Sequence, residues 1–437
     1  GTIVGASEYL SGETTDFGDV GVKALDDYTL EYTLCDPTPY FLTMLSYNIF
    51  APMNRSYFLS QGGAFGIEEF AAAKESSNYK YGTSPDNIAY NGPFLVKSYT
   101  ESNTIVFEAN PSYYNPDILG VHTLTWKYDD GTDNTKTYKD MVAGDITNAG
   151  LNTATLEIAK ADGLFDEYAY VSDTDATAFT EWMNVNRQAY ANFNDANVAV
   201  STMTEDQKTL ANAAMRNVHF RRAVMYSIDR ATMVAQRKGE DLKYNCMINA
   251  YVPGNFVYLS KEVTVDINGE SVTFPAGTAY GTIRQRQLDA DGSTMKTYDE
   301  ETGLGTGFDG WYNPEAANAE LAIAIEELAA QGYEISAENP VYLDIASFTG
   351  NDSFKNQDQA LKQSVENVLG GVVIVNIVPC DTQKDWLNAT YYPNTGAEMN
   401  FNIGNNGGWG PDYGDPKSYL DTLLPGGNGM TKSFGLF

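Results

Sequence analysis

The chain has 437 residues, 43% of them apolar, with 58 Asp and Glu against 27 Lys and Arg and a formal net charge of -31. That length exceeds what one hydrophobic core serves, so two or three domains are expected, and the apolar share is that of a folded protein. The negative charge repels nucleic-acid backbones and anionic lipid, so no nucleic-acid partner is expected, and no apolar run is long enough to span a bilayer.

The elements run as follows. Residues 19 to 35 read as strand, turn, strand, with Asp26 and Asp27 supplying the turn. Pro37 and Pro39 end that hairpin, and Tyr40 to Leu45 looks helical. Residues 75 to 92 are a polar loop. Residues 93 to 109 form a second hairpin around Glu101 to Asn103, followed by a strand at Leu124 to Tyr128, a short helix at Tyr138 to Ala143 and a strand at Ala178 to Val185. Helix is predicted over 204 to 216 and, after a break, from Phe220 to Gln236. Residues 255 to 310, glycine-rich with one hairpin-like stretch, read as a surface excursion.

From Asn313 the pattern changes. Asn313 can cap a helix, Pro314 suits its first position, and Gly332 stops it after about Ala330. A strand (Val341 to Ala346), a helix (Gln357 to Leu369), a strand (Val372 to Val378), a short helix (Thr382 to Asn388) and a strand (Met399 to Ile403) follow. This alternation predicts a parallel or mixed sheet flanked by helices, an α/β fold. Hairpins dominate the first third and α/β units the last, so at least two lobes are expected.

Little in the chain supports catalysis. Its two histidines, His122 and His219, are far apart, and no HExxH, GxSxG or GxxxxGK[ST] occurs. Cys35, Cys246 and Cys380 are widely spaced, with no zinc or disulfide pattern. Asp289, Asp291, Ser293 and Glu300 have calcium-loop spacing, but Gly292 comes two places early and Thr294 stands at the sharp turn, so a hydrated acidic hairpin is expected. The run Gly303 to Gly310 does not open a helix after a strand, as a dinucleotide loop would. The residues thus predict no catalytic group, no metal and no cofactor: not an enzyme.

The segment Gly404 to Leu420, GNNGGWGPDYGDPKSYL, carries the ligand chemistry. It follows a predicted strand, placing it at a carboxyl end, where open α/β sheets bind ligands. Its glycines leave backbone open to strand-like pairing, Trp409 offers a flat wall, and Asp412 can meet an ammonium group. The plainer reading is a glycine-rich turn handing on to a helix at Asp415 and Pro416.

Taken together, VGVKALDDYTLEYTL (Val20 to Leu34), NGPFLVKSY (Asn91 to Tyr99), NPSYYN (Asn110 to Asn115), YKDMVAGDI (Tyr138 to Ile146), FRRAVMYSIDR (Phe220 to Arg230) and GGWGPDYGDPKSYLDTLL (Gly407 to Leu424) resemble the oligopeptide- and dipeptide-binding proteins of ABC importers, solute-binding protein family 5. The resemblance implies a two-lobed periplasmic-binding-protein type II fold with an extra domain. Residues 1–90 would be part of the extra domain, 91–181 lobe one and 182–437 an incomplete lobe two, with one hinge crossing at Trp182 to Asn186. It implies an extracytoplasmic protein, a cell-surface lipoprotein or a periplasmic one, that captures short peptides and serves the membrane permease subunits of an ABC transporter. A ligand peptide would pair with Gly407, Gly408 and Gly410, lie beside Trp409, and set its amino end on Asp412; Asn406, Tyr413 and Trp182 complete the expected contacts. The family pattern runs past both ends, so the chain is expected to be incomplete. The sequence departs from the pattern in offering no basic residue near the loop for a peptide carboxylate, with Asn405 and Asn406 standing where one would help. An oligosaccharide or metal-chelate receptor on the same scaffold, and more remotely a peptidase, are the alternatives.

Overall fold

The structure, a computed structural model, describes residues 2–171, 176–194, 197–424 and 429–436, the side chain of Asn406 excepted. The chain divides into two compact units, Gly1–Asp130 and Gly131–Phe437.

In the first unit, β1 (Val22–Ala24) and β2 (Leu30–Tyr32) pair antiparallel. Asp26 closes their turn by accepting from the Tyr28 amide at 2.8 Å and the Thr29 hydroxyl at 2.9 Å, as a short acidic side chain does in a tight turn. Then β3 (Phe94–Thr100), β4 (Thr104–Ala109) and β5 (Thr123–Lys127) form an antiparallel meander. A separate aromatic knot centres on buried Phe58, ringed by Phe65, Phe70, Tyr79 and Tyr81 at centroid distances of 5.2 to 6.4 Å.

The second unit holds β6 (Ala178–Met183), a hairpin of β7 (Val263–Ile267) and β8 (Glu270–Phe274), then β9 (Val341–Phe348), β10 (Val373–Cys380) and β11 (Ile403–Trp409). The main sheet has the order β10-β9-β11-β6. Strands β9, β10 and β11 run parallel, and β6 lies antiparallel against β11. The parallel crossovers are helical, Asp352–Val368 and Gln383–Thr390, as parallel pairing requires.

Alternation along the strands sorts two cores. Leu343, Ile345, Val373, Val375 and Ile403 pack with Phe220, Leu321, Leu328, Leu361 and Val365. Trp182, Ala346, Cys380, Met399 and Phe401 form the other cluster. Arg187, fully buried, clamps the approach to β11: its guanidinium meets Asp344 Oδ2 at 2.8 Å and donates to Asn402 and Asn400 side-chain oxygens, both at 2.7 Å.

Most predicted elements stand within a few residues of expectation, and Asn313 caps its helix by accepting from Ala316 N at 3.0 Å. Four readings change. The helix expected from Phe220 to Gln236 is two, Val218–Ser227 and Arg230–Lys238, parted where Asp229 caps the second. The helix after β9 starts at Asp352, five residues early, because Asn351 caps it. The excursion contains an eleven-residue helix, Tyr280–Ala290; the acidic run begins as its end, where Asp289 accepts from Gln285 and Asp291 from Asn268 and Gln287, and only its last residues turn back in a tight antiparallel bridge, Asp299 to Leu304. The strand expected at Met399 to Ile403 begins at Ile403 and continues to Trp409. Among the described residues no helix is long and apolar enough to cross a membrane, and no group of three or more His, Cys, Asp or Glu side chains is arranged to hold a metal.

Candidate ligand-binding site

The glycine-rich segment is strand where turn was expected. β11 pairs with β6 at Ile403 opposite Met183 and Gly404 opposite Trp182, then at Gly407 opposite Thr180, Gly408 opposite Phe179 and Trp409 opposite Ala178. Three steps on β11 therefore match two on β6, a bulge at Asn405 and Asn406. A bulge adds twist and re-aims the residues beyond it, so Gly407 and Trp409 turn to the face that holds Trp182.

Two of the glycines are required by packing. A Cβ on Gly407 would lie 1.8 Å from Trp182 Cζ2 and Cη2 and 2.4 Å from the Tyr391 hydroxyl; one on Gly408 would lie 2.9 Å from the Ala178 carbonyl and Phe179. Trp182 is fully buried, bonds Thr180 Oγ1 through its indole N–H at 2.6 Å and meets Tyr391 edge-on at 5.1 Å. Trp182 thus lies wholly inside, behind the strand, with no face turned to solvent.

On its other side β11 is paired to β9 only at Ile403 opposite Ile345. Past that point β9 ends at Phe348 while β11 runs on to Trp409. Residues 404–409 thus have a ladder on one edge only, among the described residues. Gly404, Asn405 and Gly407 are buried and Gly408 and Trp409 half-buried, so the stretch accessible to an added strand is 408–409, at the carboxyl end of the parallel strands.

Beyond β11 the chain folds back on Ser418, which is 3% exposed. The Trp409 indole N–H donates to the Ser418 carbonyl at 2.9 Å, and the Asp412 amide donates to Ser418 Oγ at 2.7 Å. One buried serine therefore fixes both the expected aromatic wall and the expected acid. Trp409 and Asp412 are each half-buried, neither sunk in the core nor on a bare surface. Tyr413 is half-buried, its hydroxyl 3.5 Å from Asp421 Oδ2, and Gly410 sits against Thr177. The backbone of Asn406 is in β11; its side chain lies outside the described residues. The structure therefore gathers Gly407, Gly408, Trp409, Gly410, Asp412 and Tyr413 at one strand end and sets Trp182 behind them. The sequence reading missed Ser418, and nothing in spacing marks a serine inside a short helix as a clasp. It also missed buried Asp358, whose position on the apolar face of its helix was the available signal.

A mixed α/β sheet flanked by helices is the fold of the solute-binding-protein class. The chain belongs to the bacterial extracellular solute-binding proteins, family 5, whose middle region it matches over residues 4–431. It is 30% identical over 433 residues to the oligopeptide-binding protein AmiA of Streptococcus pneumoniae, covering 99% of this chain and 59% of that protein. It is 31% identical over 434 residues to the oligopeptide-binding protein SarA of Streptococcus gordonii, covering 99% and 58%. The chain thus spans less than two thirds of the length of these relatives. Its fold matches that of Listeria monocytogenes OppA bound to peptide, with a TM-score of 0.58 at 18% identity over 100% of this chain and 65% of that one. It also matches the pheromone receptor PrgZ, with a TM-score of 0.57 at 18% identity, over 99% and 65%.

Proposed function

We propose that the protein is the extracytoplasmic substrate-binding component of an ABC importer and captures short peptides on the open edge of β11. The observation that carries this is the one-sided ladder: at Gly408 and Trp409 the strand keeps β6 on one edge, lies beyond the end of β9 and is half-buried, leaving its other edge for an added strand. Backbone pairing is indifferent to side chains, so a peptide of varied sequence would bind, with Trp409 beside it and Asp412 holding its ammonium group and setting register. Asn406, Gly410 and Tyr413 join the contacts. Trp182 acts from behind, by holding Gly407 in place. In this reading residues 182–437 are one ligand-holding lobe, 91–181 the other and 1–90 part of an extra domain; closure hinges at Trp182 to Asn186, and the closed form is what the permease subunits recognise. The protein is held at the cell surface as a lipoprotein or is free in the periplasm. Relatives named oligopeptide-binding proteins support the choice of ligand. Calorimetry of the full-length protein with a mixed pentapeptide library tests it: saturable binding is expected, and binding of cello-oligosaccharides with no response to peptides overturns it.

A further inference from the structure

Among the described residues, seven buried side-chain polar atoms find no hydrogen-bond partner, and five belong to β6, β9, β11 and the helix Asp352–Val368: Glu181 Oε2, Ser347 Oγ, Gln357 Oε1, Asp358 Oδ2 and Asn405 Oδ1. Strand alternation explains why they meet. On β9, Leu343 and Ile345 face the larger core and Ser347 is next in that row. On β11, Asn405 follows Ile403. On β6, which runs the opposite way, Glu181 follows Met183. On the helix, Val365 and Leu361 lead back to Asp358 at helical spacing. Three apolar strand rows and one helix row thus end together in a polar layer, at the carboxyl end of the parallel strands.

The groups interact. The Asn405 amide donates to Asp358 Oδ1, the Ser347 hydroxyl faces Asp358 and favours its charged form, and the Asp358 charge acts on Glu181. Asp358 is 1% exposed, Asn405 3% and Ser347 0%. All five of these atoms are oxygens able to accept, and two belong to carboxylates. A bound cation would satisfy them together. Arg230 acts on Glu181, but its guanidinium is taken up by Asp309 at 2.7 and 3.0 Å, Asn249 at 2.5 Å and the Ile248 carbonyl at 3.2 Å.

We propose that Glu181, Asp358, Ser347 and Asn405 form an internal site for a hard divalent cation of the calcium class. Two carboxylates match its charge, and hydroxyl and amide oxygens complete the shell such ions take. Without the ion, burial pushes Glu181 up to about 8, with the Asp358 charge adding to it, and Asp358 up to about 7. Burial therefore favours the protonated forms in the empty layer, and a cation binding there displaces protons. The layer lies one row inward of Gly408 and Phe179, directly under the open strand edge, so an ion there braces β11 where a ligand would add.

The test is calorimetry with calcium chloride on EDTA-dialysed full-length protein near neutral pH, in two buffers of different ionisation enthalpy. One saturable site is expected, with an affinity in the range of roughly 0.1 to 1 mM seen in extracellular modules, and proton release on binding. Asp358→Asn and Glu181→Gln should each weaken it tenfold or more, while Asp291→Asn, on the unrelated acidic run, leaves it unchanged. Amides are easier to bury than carboxylates, and unchanged circular dichroism will confirm that both variants fold. No binding up to about 10 mM, well above the weakest affinity expected, overturns the proposal, as does binding that survives both substitutions. A pH-dependent stability that calcium does not alter would identify the layer as a proton store only, and also overturns it.

Discussion

Gly407→Ala separates two reasons for a glycine in β11. If the glycine were there to let a ligand approach, alanine would impair binding and leave stability alone. The structure instead puts the new methyl 1.8 Å from two carbons of the Trp182 ring, so ring or strand must give by roughly 1.6 Å to reach ordinary contact. The ring cannot swing away: it is fully buried, bonded to Thr180 and set edge-on to Tyr391. Overpacking of this kind costs about 3 kcal/mol, the upper end of the usual range. In a Trp182→Phe background the two clashing atoms are gone, and the same change should cost about 1 kcal/mol, a coupling of about 2 kcal/mol. Urea unfolding followed by far-ultraviolet circular dichroism measures all four corners of the cycle. A Gly407→Ala protein within about 0.5 kcal/mol of the parent, the usual effect of a change that touches nothing, or an equal loss in both backgrounds, would refute the packing argument.

Asp412→Ala should weaken peptide binding about tenfold or more by calorimetry, since a charge-assisted bond to a partly buried ammonium is worth a few kcal/mol; unchanged affinity removes Asp412 from the site. Ser418→Ala withdraws the acceptor of the Asp412 amide and should cost about 1 kcal/mol of stability while weakening peptide binding, both read on one preparation. Arg187→Ala strips a fully buried partner from Asp344 and should cost about 3 to 5 kcal/mol in urea unfolding; a loss near zero would mean that the clamp is dispensable. In metal-free protein, Glu181 and Asp358 titrate higher folded than unfolded. Their contribution is therefore most favourable below their unfolded values and is lost as pH rises through the folded ones. Stability should fall between about pH 5 and pH 8, and fall less in Asp358→Asn; equal slopes would show that the pair does not titrate there.

The α/β half of the fold was legible because its signals are local and agree with one another. Asn313, Pro314 and Gly332 bracket a helix whose apolar period is 3.6, Val373 to Val378 is a mostly β-branched run, and Val341 to Ile345 alternates Val, Leu and Ile, both short enough to read as strands. Gly407 and Gly408 misled for an equally physical reason. Glycine is read as turn because nothing local holds it extended, and the constraint that makes it strand is Trp182, more than two hundred residues earlier. The helix Tyr280–Ala290 hid because its flanking glycines and polar surface resemble a loop. The acids Glu181 and Asp358 carried no motif at all, since their meeting depends on strand register, which no spacing encodes.

That register also explains why the bulge at Asn405 and Asn406 sits where it does. If the same residues ran on as a regular strand with no bulge, Gly407 would face the same side as Asn405, and Trp409 would point into the larger core. With it, Asn405 stays turned inward on Asp358 while Trp409 crosses to the other face and reaches the Ser418 carbonyl. One inserted residue thus lets a single strand anchor a polar layer below and present an aromatic wall above. Deleting Asn406 should restore one-to-one pairing and leave Asn405 and Trp409 on the faces they now hold, so the bond from Trp409 to Ser418 should survive. What is lost is the added twist that aims the end of the strand, and peptide binding should weaken although β11 still pairs with β6. A shortened strand that kept full peptide affinity would show that the bulge does not aim the ligand edge, and that pairing with β6 alone sets the wall and the acid.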